Sequence, residues 1–246
     1  MTQATTLYPG ARSAATDTAG DQRRAGRAVQ EFRRWGLLLA GLTVFAAGLT
    51  MMIRADLGLS PWDVLHDAIS GLTPLTFGQV VVLISLVVVG VAWSLGVRPG
   101  PATVVNSILV GLVTDAMLAT GFLEGLPTGP VLARLGVLIV GISAIALGTA
   151  TYIAAQLGAG PRDGLMLGIA RRSSRSTGGA RAAIEVSVLV GGILLGGSIG
   201  LGTAVFVVAI GPAINISFGL FGMEPRRPRS LGPLVRAHNA GAEGTR

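Results

Sequence analysis

The sequence predicts an all-α integral membrane protein. It predicts six transmembrane helices as two inverted three-helix repeats, each with a short helix that is broken and re-entrant or else interfacial. Three observations lead there. Half of the 246 residues are hydrophobic and only 13% are charged, against roughly 25% in soluble domains. Six runs are long and apolar enough to cross a bilayer. Finally, segment 34–118 aligns without gaps on 134–218.

In chain order, residues 1–33 are polar and rich in Ala, Thr, Gly and Arg, and are expected as a disordered cytoplasmic tail. The spans follow at Trp35–Ile53, Thr76–Leu95, Ala102–Phe122, Val131–Ile153, Ala182–Gly200 and Gly202–Phe221. Each is close to the about 20 residues that a hydrocarbon core of about 30 Å requires. A signal peptide is the other reading of the first run, but its matched copy in the second half favours a retained span. Pro61–Leu72 and Pro161–Arg172 are too short to cross, since about 12 residues make about 18 Å of helix. Residues 223–246 are expected as a second, basic, disordered cytoplasmic tail. This gives one membrane domain, with repeat 1 at 34–122 and repeat 2 at 131–222.

All 19 cationic residues are Arg, and the net charge is +7. That balance could suit nucleic acid, but the distribution argues against it. The arginines cluster at Arg12–Arg34, Arg162–Arg181 and Arg226–Arg246, flanking long uncharged runs. Basic flanks mark cytoplasmic loops. With the N-terminus in the cytoplasm, Arg98, the Arg162–Arg181 loop and the C-terminal arginines all fall inside. The outer loops then hold Arg54, Asp56, Asp63, Asp67, Glu124 and Arg134, with acids in excess. The absence of Cys excludes a disulfide scaffold, a cysteine zinc site and a cysteine enzyme. There is no P-loop signature and no nucleophile–base pair at a useful spacing, so no catalytic residue, cofactor or metal is expected.

The two copies share roughly two dozen identities over about 85 positions. Matched pairs include Gly41/Gly141, Gly48/Gly148, Leu57/Leu157, Gly58/Gly158, Pro61/Pro161, Asp63/Asp163, Gly100/Gly200 and Thr103/Thr203, with Asp115 facing Asn215. Three crossings per copy is an odd number, so the second copy is inverted relative to the first. The rival arrangement has four parallel crossings per copy. It needs the short helices to span, and it places Arg98 and Arg162 outside.

The strings LGLSPWDVLHDAIS and LGAGPRDGLMLGIARR, each followed by a Gly-rich span, resemble the YczE/YyaS/YitT family of bacterial integral membrane proteins. GLGTAVFVVAIGPAIN and its weaker partner PGPATVVNSILVGLVTD resemble that family's closing helix in each half. The resemblance covers about 34–221. The first copy departs from it at Arg98-Pro-Gly-Pro. It implies a multi-pass protein of the bacterial plasma membrane, and it supplies no molecular activity.

The candidate site residues follow from the repeat. Gly58 and Gly158 suit a left-handed helix end, Pro61 and Pro161 a first helical turn, and Asp63 and Asp163 the positive end of the helix dipole. The plainer reading is a capped surface helix. The sharper one is a pair of re-entrant half-helices that hold an anion or polar solute between them. Trp62 suits an interfacial belt, and His66 a solvated outer face. Asp115 counts to about 20 Å into its helix from Ala102, where a carboxylate costs about 3 kcal/mol. With Asn215 it reads either as a coupling or solute site, or as an interhelical hydrogen bond. Glu185 lies one turn beyond Arg181, for pairing or for proton handling. Gln79, Asn106 and Tyr152 are candidate pore-lining groups. Gly36, Gly41, Gly48, Gly136, Gly141, Gly148, Gly191, Gly192, Gly196 and Gly197 read as close-packing positions. The function expected is a transporter or permease-like protein for a small polar solute or ion. The alternative is a membrane-embedded accessory protein that binds a partner and moves nothing. Its expected surroundings are the lipid bilayer and no nucleic acid.

Overall fold

The computed structural model describes residues 9–158, 160–173 and 177–221. Among these residues every regular element is helical: α1 Pro9–Ala55, α2 Pro61–Leu72, α3 Phe77–Ser94, α4 Pro101–Ala119, α5 Val131–Ala154, α6 Pro161–Ser173, α7 Thr177–Leu194 and α8 Leu201–Leu220. A short 3-10 turn, Leu126–Thr128, joins the halves. Five helices are long and apolar enough to cross a membrane: Gly26–Ala55 of α1, and α3, α4, α5 and α8. A sixth crossing requires α6 and α7 to be taken together, and these meet at a bend of 118°.

Two expectations are corrected. Helix α1 begins at Pro9, so residues 9–33 are helical rather than a disordered tail. They are rich in Ala and Arg and continue directly from an apolar span, so the costly nucleation step is already taken. Residues 1–8 and the expected tail at 223–246 lie outside the described residues. The fifth span was expected at Ala182–Gly200, but α7 ends at Leu194. The Gly196 N–H donates to Ile193 O (3.0 Å) and the Gly197 N–H to Gly192 O (2.9 Å), with Gly196 at φ +90°. That is a Schellman stop. Its repeat mate stops α3 in the same way, through Gly96 N–H to Trp93 O and Val97 N–H to Ala92 O.

The centre of the molecule is an antiparallel crossing of α1 on α5. A Cβ built on Gly41 would meet Tyr152 N at 2.5 Å and Gly148 O at 2.9 Å, and one on Gly48 would meet Gly141 O at 2.5 Å. The reciprocal positions are close too, Gly148 against Gly41 O at 2.6 Å and Gly141 against Gly48 O at 2.9 Å. These glycines let two backbones touch, which is how membrane helices gain dispersion contact without a hydrophobic drive between them. By contrast Gly36, Gly136 and Gly191 have open space where a Cβ would go, so they are not close-packing positions.

Reciprocity extends to the helix ends. Arg34 donates to Ala155 O (2.9 Å) and Gln156 O (2.8 Å) at the end of α5. Arg134 donates to Ala55 O (2.8 Å) and to Asp56 O at the end of α1. Each guanidinium thus satisfies carbonyls that the helix cannot pair internally. Likewise Gly58 (φ +111°) lies against Gly200 and Thr203, and Gly158 (φ +135°) against Gly100 and Thr103. Among the described residues symmetry fails most plainly where the last two helices of each copy meet. Helix α3 packs along α4, with Gly78 against Gly111, while the matching α7 and α8 make no comparable contact and Gly178 and Gly211 face open space.

Candidate functional site

After α1 the chain turns through Asp56 at φ +48°, and after α5 through Gln156 at φ +53°. These residues take the left-handed turn first, and Gly58 and Gly158 open the chain two residues later. Ser60 and Gly160 then precede Pro61 and Pro161, each the first residue of a new helix whose missing N–H is no loss there. This brings the N-termini of α2 and α6 to one cavity of about 240 Å³. Its walls come largely in repeat-matched pairs: Phe45/Ile145, Val81/Arg181, Ser85/Glu185, Asn106/Phe206 and Val110/Ile210, together with 60–63 and 160–163.

On the α2 side, Asp63 is 3% exposed, Trp62 7% and His66 1%. The Ser60 hydroxyl donates to Asp63 Oδ2, and His66 Nδ1 lies 3.2 Å from Asp63 Oδ1. Arg162 reaches across from α6, 3.6 Å from Asp63 Oδ1 and 4.9 Å above the Trp62 ring. A carboxylate this buried needs such partners, because leaving it unpaired is expensive. On the α6 side, Asp163 accepts the backbone N–H of Gly160. The Tyr152 hydroxyl and the Asn106 amide approach the same glycine. Arg181 and Glu185 of α7 close the wall, paired at 2.8 Å.

Of the expected site residues, the cavity gathers Pro61, Asp63, Pro161, Asp163 and Glu185, with Asn106 and Tyr152. Gly58 and Gly158 shape the breaks beside it. Three others lie elsewhere. Asp115 caps α3: its carboxylate accepts the Thr76 hydroxyl and the Gly78 N–H, the latter at 2.7 Å. Gln79 completes a capping box with Thr76. Asn215 is exposed on α8. Trp62 and His66 are buried rather than interfacial or solvated, because α2 turns its first turns inward beneath Arg162 and Phe77. Read from sequence, Arg162 and Arg181 are topology signals, and Arg181 is also a partner for Glu185. The signal available was the repeat itself, since Trp62/Arg162, Val81/Arg181 and Ser85/Glu185 each oppose a charge to a neutral residue. Among the described residues no group of His, Cys, Asp and Glu could hold a metal.

Comparison with known proteins bears on the whole of this architecture. Residues 32–218 match a family of unknown function, DUF6198. An uncharacterized protein of Haemophilus influenzae is 34% identical over 201 residues, 80% of this chain and 89% of its own. The uncharacterized membrane protein YczE of Bacillus subtilis is 32% identical over 188 residues, 75% of this chain and 85% of its own. The uncharacterized protein YyaS of the same organism is 28% identical over 183 residues, 72% of this chain and 88% of its own. No solved structure matches. The family match runs from the α1 segment that carries Arg34 to the last turn of α8 and takes in both walls of the cavity, and this membrane protein belongs to the DUF6198 family.

Proposed function

We propose that the protein is a permease-like transporter for a small polar solute or ion, and not an enzyme. It is built from six crossings as a 3+3 inverted repeat in the bacterial plasma membrane, with both termini cytoplasmic. The observation that carries the reading is the cavity, where two repeat-matched helix N-termini meet between walls drawn in pairs from both halves. Transporters with inverted repeats place their solute at such an interface, on broken helices. The antiparallel α1–α5 crossing supports inversion, because repeats related by an axis along the membrane normal would set equivalent helices parallel.

The chain has no Cys, so single cysteines can be placed on a clean background. In proteoliposomes, cysteines at Ser85 and Ile214, both cavity-lining, should react with a membrane-impermeant methanethiosulfonate added from either side. A cavity reached from one side only, under every condition tried, refutes transport. Orientation has its own test: cysteines at Arg98 and Arg172 should be inert to an impermeant maleimide outside intact cells.

A further inference from the structure

We propose that the cavity takes a small monovalent organic cation with an apolar body, which enters from the bilayer through the cleft between α7 and α8. This rests on reading the cavity as a solute site, and it names the solute.

The first argument is a charge count. Among the described residues the cavity is lined by three acids, Asp63, Asp163 and Glu185, and by two cations, Arg162 and Arg181. His66 stands behind Asp63 with its Nε2 buried and without a hydrogen-bond partner. An imidazolium would carry a donor there with nothing to receive it, so the neutral ring fits, with Nδ1–H donating to Asp63. With Asp163 ionised, as a bound cation would hold it, the described walls carry one negative charge in excess. Re-pairing arginines with acids does not change that count. As built, Arg162 serves Asp63 and Arg181 serves Glu185, and Asp163 is the cavity carboxylate left with no ion pair among the described residues.

The second argument is the character of the walls. Trp62 already carries a cation, the Arg162 guanidinium, on its face. Phe45, Tyr152, Phe206 and Phe218 line the remaining space. Aromatic faces attract cations electrostatically, and more strongly where water is excluded. About 240 Å³ holds on the order of eight waters at the ~30 Å³ each takes in the liquid, far more room than a bare metal ion fills. The third argument is access. Where α3 and α4 close through Gly78 and Gly111, α7 and α8 stand apart, and Gly178 and Gly211 face open space. Arg181 and Glu185 on one side of that cleft, and Phe206 and Ile210 on the other, belong to the cavity wall. A solute with an apolar body can partition into lipid and enter sideways.

The test uses the full chain in nanodiscs, with benzyltrimethylammonium as probe. Its uncharged isostere neopentylbenzene, benzenesulfonate and sodium at matched ionic strength serve as comparisons. Benzyltrimethylammonium should bind saturably and raise the unfolding temperature, and at least tenfold tighter than any of the three. Asp163→Asn should weaken it at least tenfold, Asp163→Glu by only a few fold, and Asp115→Asn not at all. Replacing one methyl of the probe by hexyl should preserve affinity, because the chain can leave through the cleft; a tenfold loss overturns the lateral entry. Tighter binding of benzenesulfonate, or equal binding of the neutral isostere, overturns the proposal even if Asp163→Asn fails to fold. Two-sided labelling of the cavity cysteines, with no cation bound, would sink the substrate class and leave the transporter standing.

Discussion

The crossing of α1 on α5 can be tested with two glycines of the same helix. Gly36 has nothing within 4 Å of where a Cβ would stand. Gly41 would set its Cβ 2.5 Å from Tyr152 N, 2.9 Å from Gly148 O and 3.1 Å from Thr151 C, all backbone atoms that cannot swing aside. Ordinary carbon contacts lie at about 3.5–4.0 Å, so Gly41→Ala must push α5 away by roughly 1 Å. Overpacking of that kind costs about 1–3 kcal/mol. Both substitutions also gain about 0.5–1 kcal/mol by replacing a mid-helix glycine, and this gain cancels in the comparison. Gly41→Ala should therefore fall about 1–3 kcal/mol below Gly36→Ala. At roughly 2–4 °C per kcal/mol for a chain of this length, thermal unfolding in detergent resolves the difference. Gly141→Ala, the repeat mate, should fall between the two, because its Cβ comes no nearer than 2.9 Å, to Gly48 O, and its other neighbours are methionine side chains. Equal stability of Gly36→Ala and Gly41→Ala would refute the close crossing and the antiparallel register read from it.

Three further outcomes follow from the helix ends. Arg34→Ala and Arg134→Ala should each cost about 1–2 kcal/mol in chemical unfolding, and Lys should recover little, because one ammonium cannot bridge two carbonyls as a planar fork does. Gly58→Ala should cost more than Gly96→Ala, measured the same way: both hold positive φ, worth about 1–2 kcal/mol, but only Gly58 also meets a neighbour, with Gly200 N at 2.6 Å from its Cβ. Asp115→Ala should cost about 1–2 kcal/mol as a lost helix cap and Asp115→Asn less, with the rate of cavity-cysteine labelling unchanged in both.

The fold was largely legible because bilayer thickness, arginine placement and a gapless repeat constrain the same chain. Helix α3 ends one residue inside its expected bounds at each end. The cavity was half legible. The doubled L-G-x-x-P-x-D element marked Asp63 and Asp163, since Pro and Asp in a first turn have a local reason to be there. Asp115 had two readings, a solute site and an interhelical hydrogen bond; it lies in the last turns of α4 and makes the second, to the start of α3. Which helix end a carboxylate caps depends on a neighbour 37 residues away, and no local pattern encodes that. His66 was expected on a solvated face and is buried. Its i, i+3 spacing from Asp63 was readable, but whether that face of α2 turns toward water or protein is a tertiary fact.

The clasp between Arg134 and the end of α1 also sets a clock on biogenesis. Its two sides lie 79 residues apart in sequence, and the reverse clasp, from Arg34 to Ala155, spans 121. At synthesis rates of about 5–20 residues per second, roughly 6–24 s pass between synthesis of Arg34 and of Ala155, and only then can both clasps close. Throughout that interval Gly41 and Gly48 present a bare backbone stripe to lipid, and the carbonyls of Ala55 and Asp56 lack their guanidinium. A ribosome that stalls between the halves leaves this surface waiting, and another nascent first half carries the same stripe.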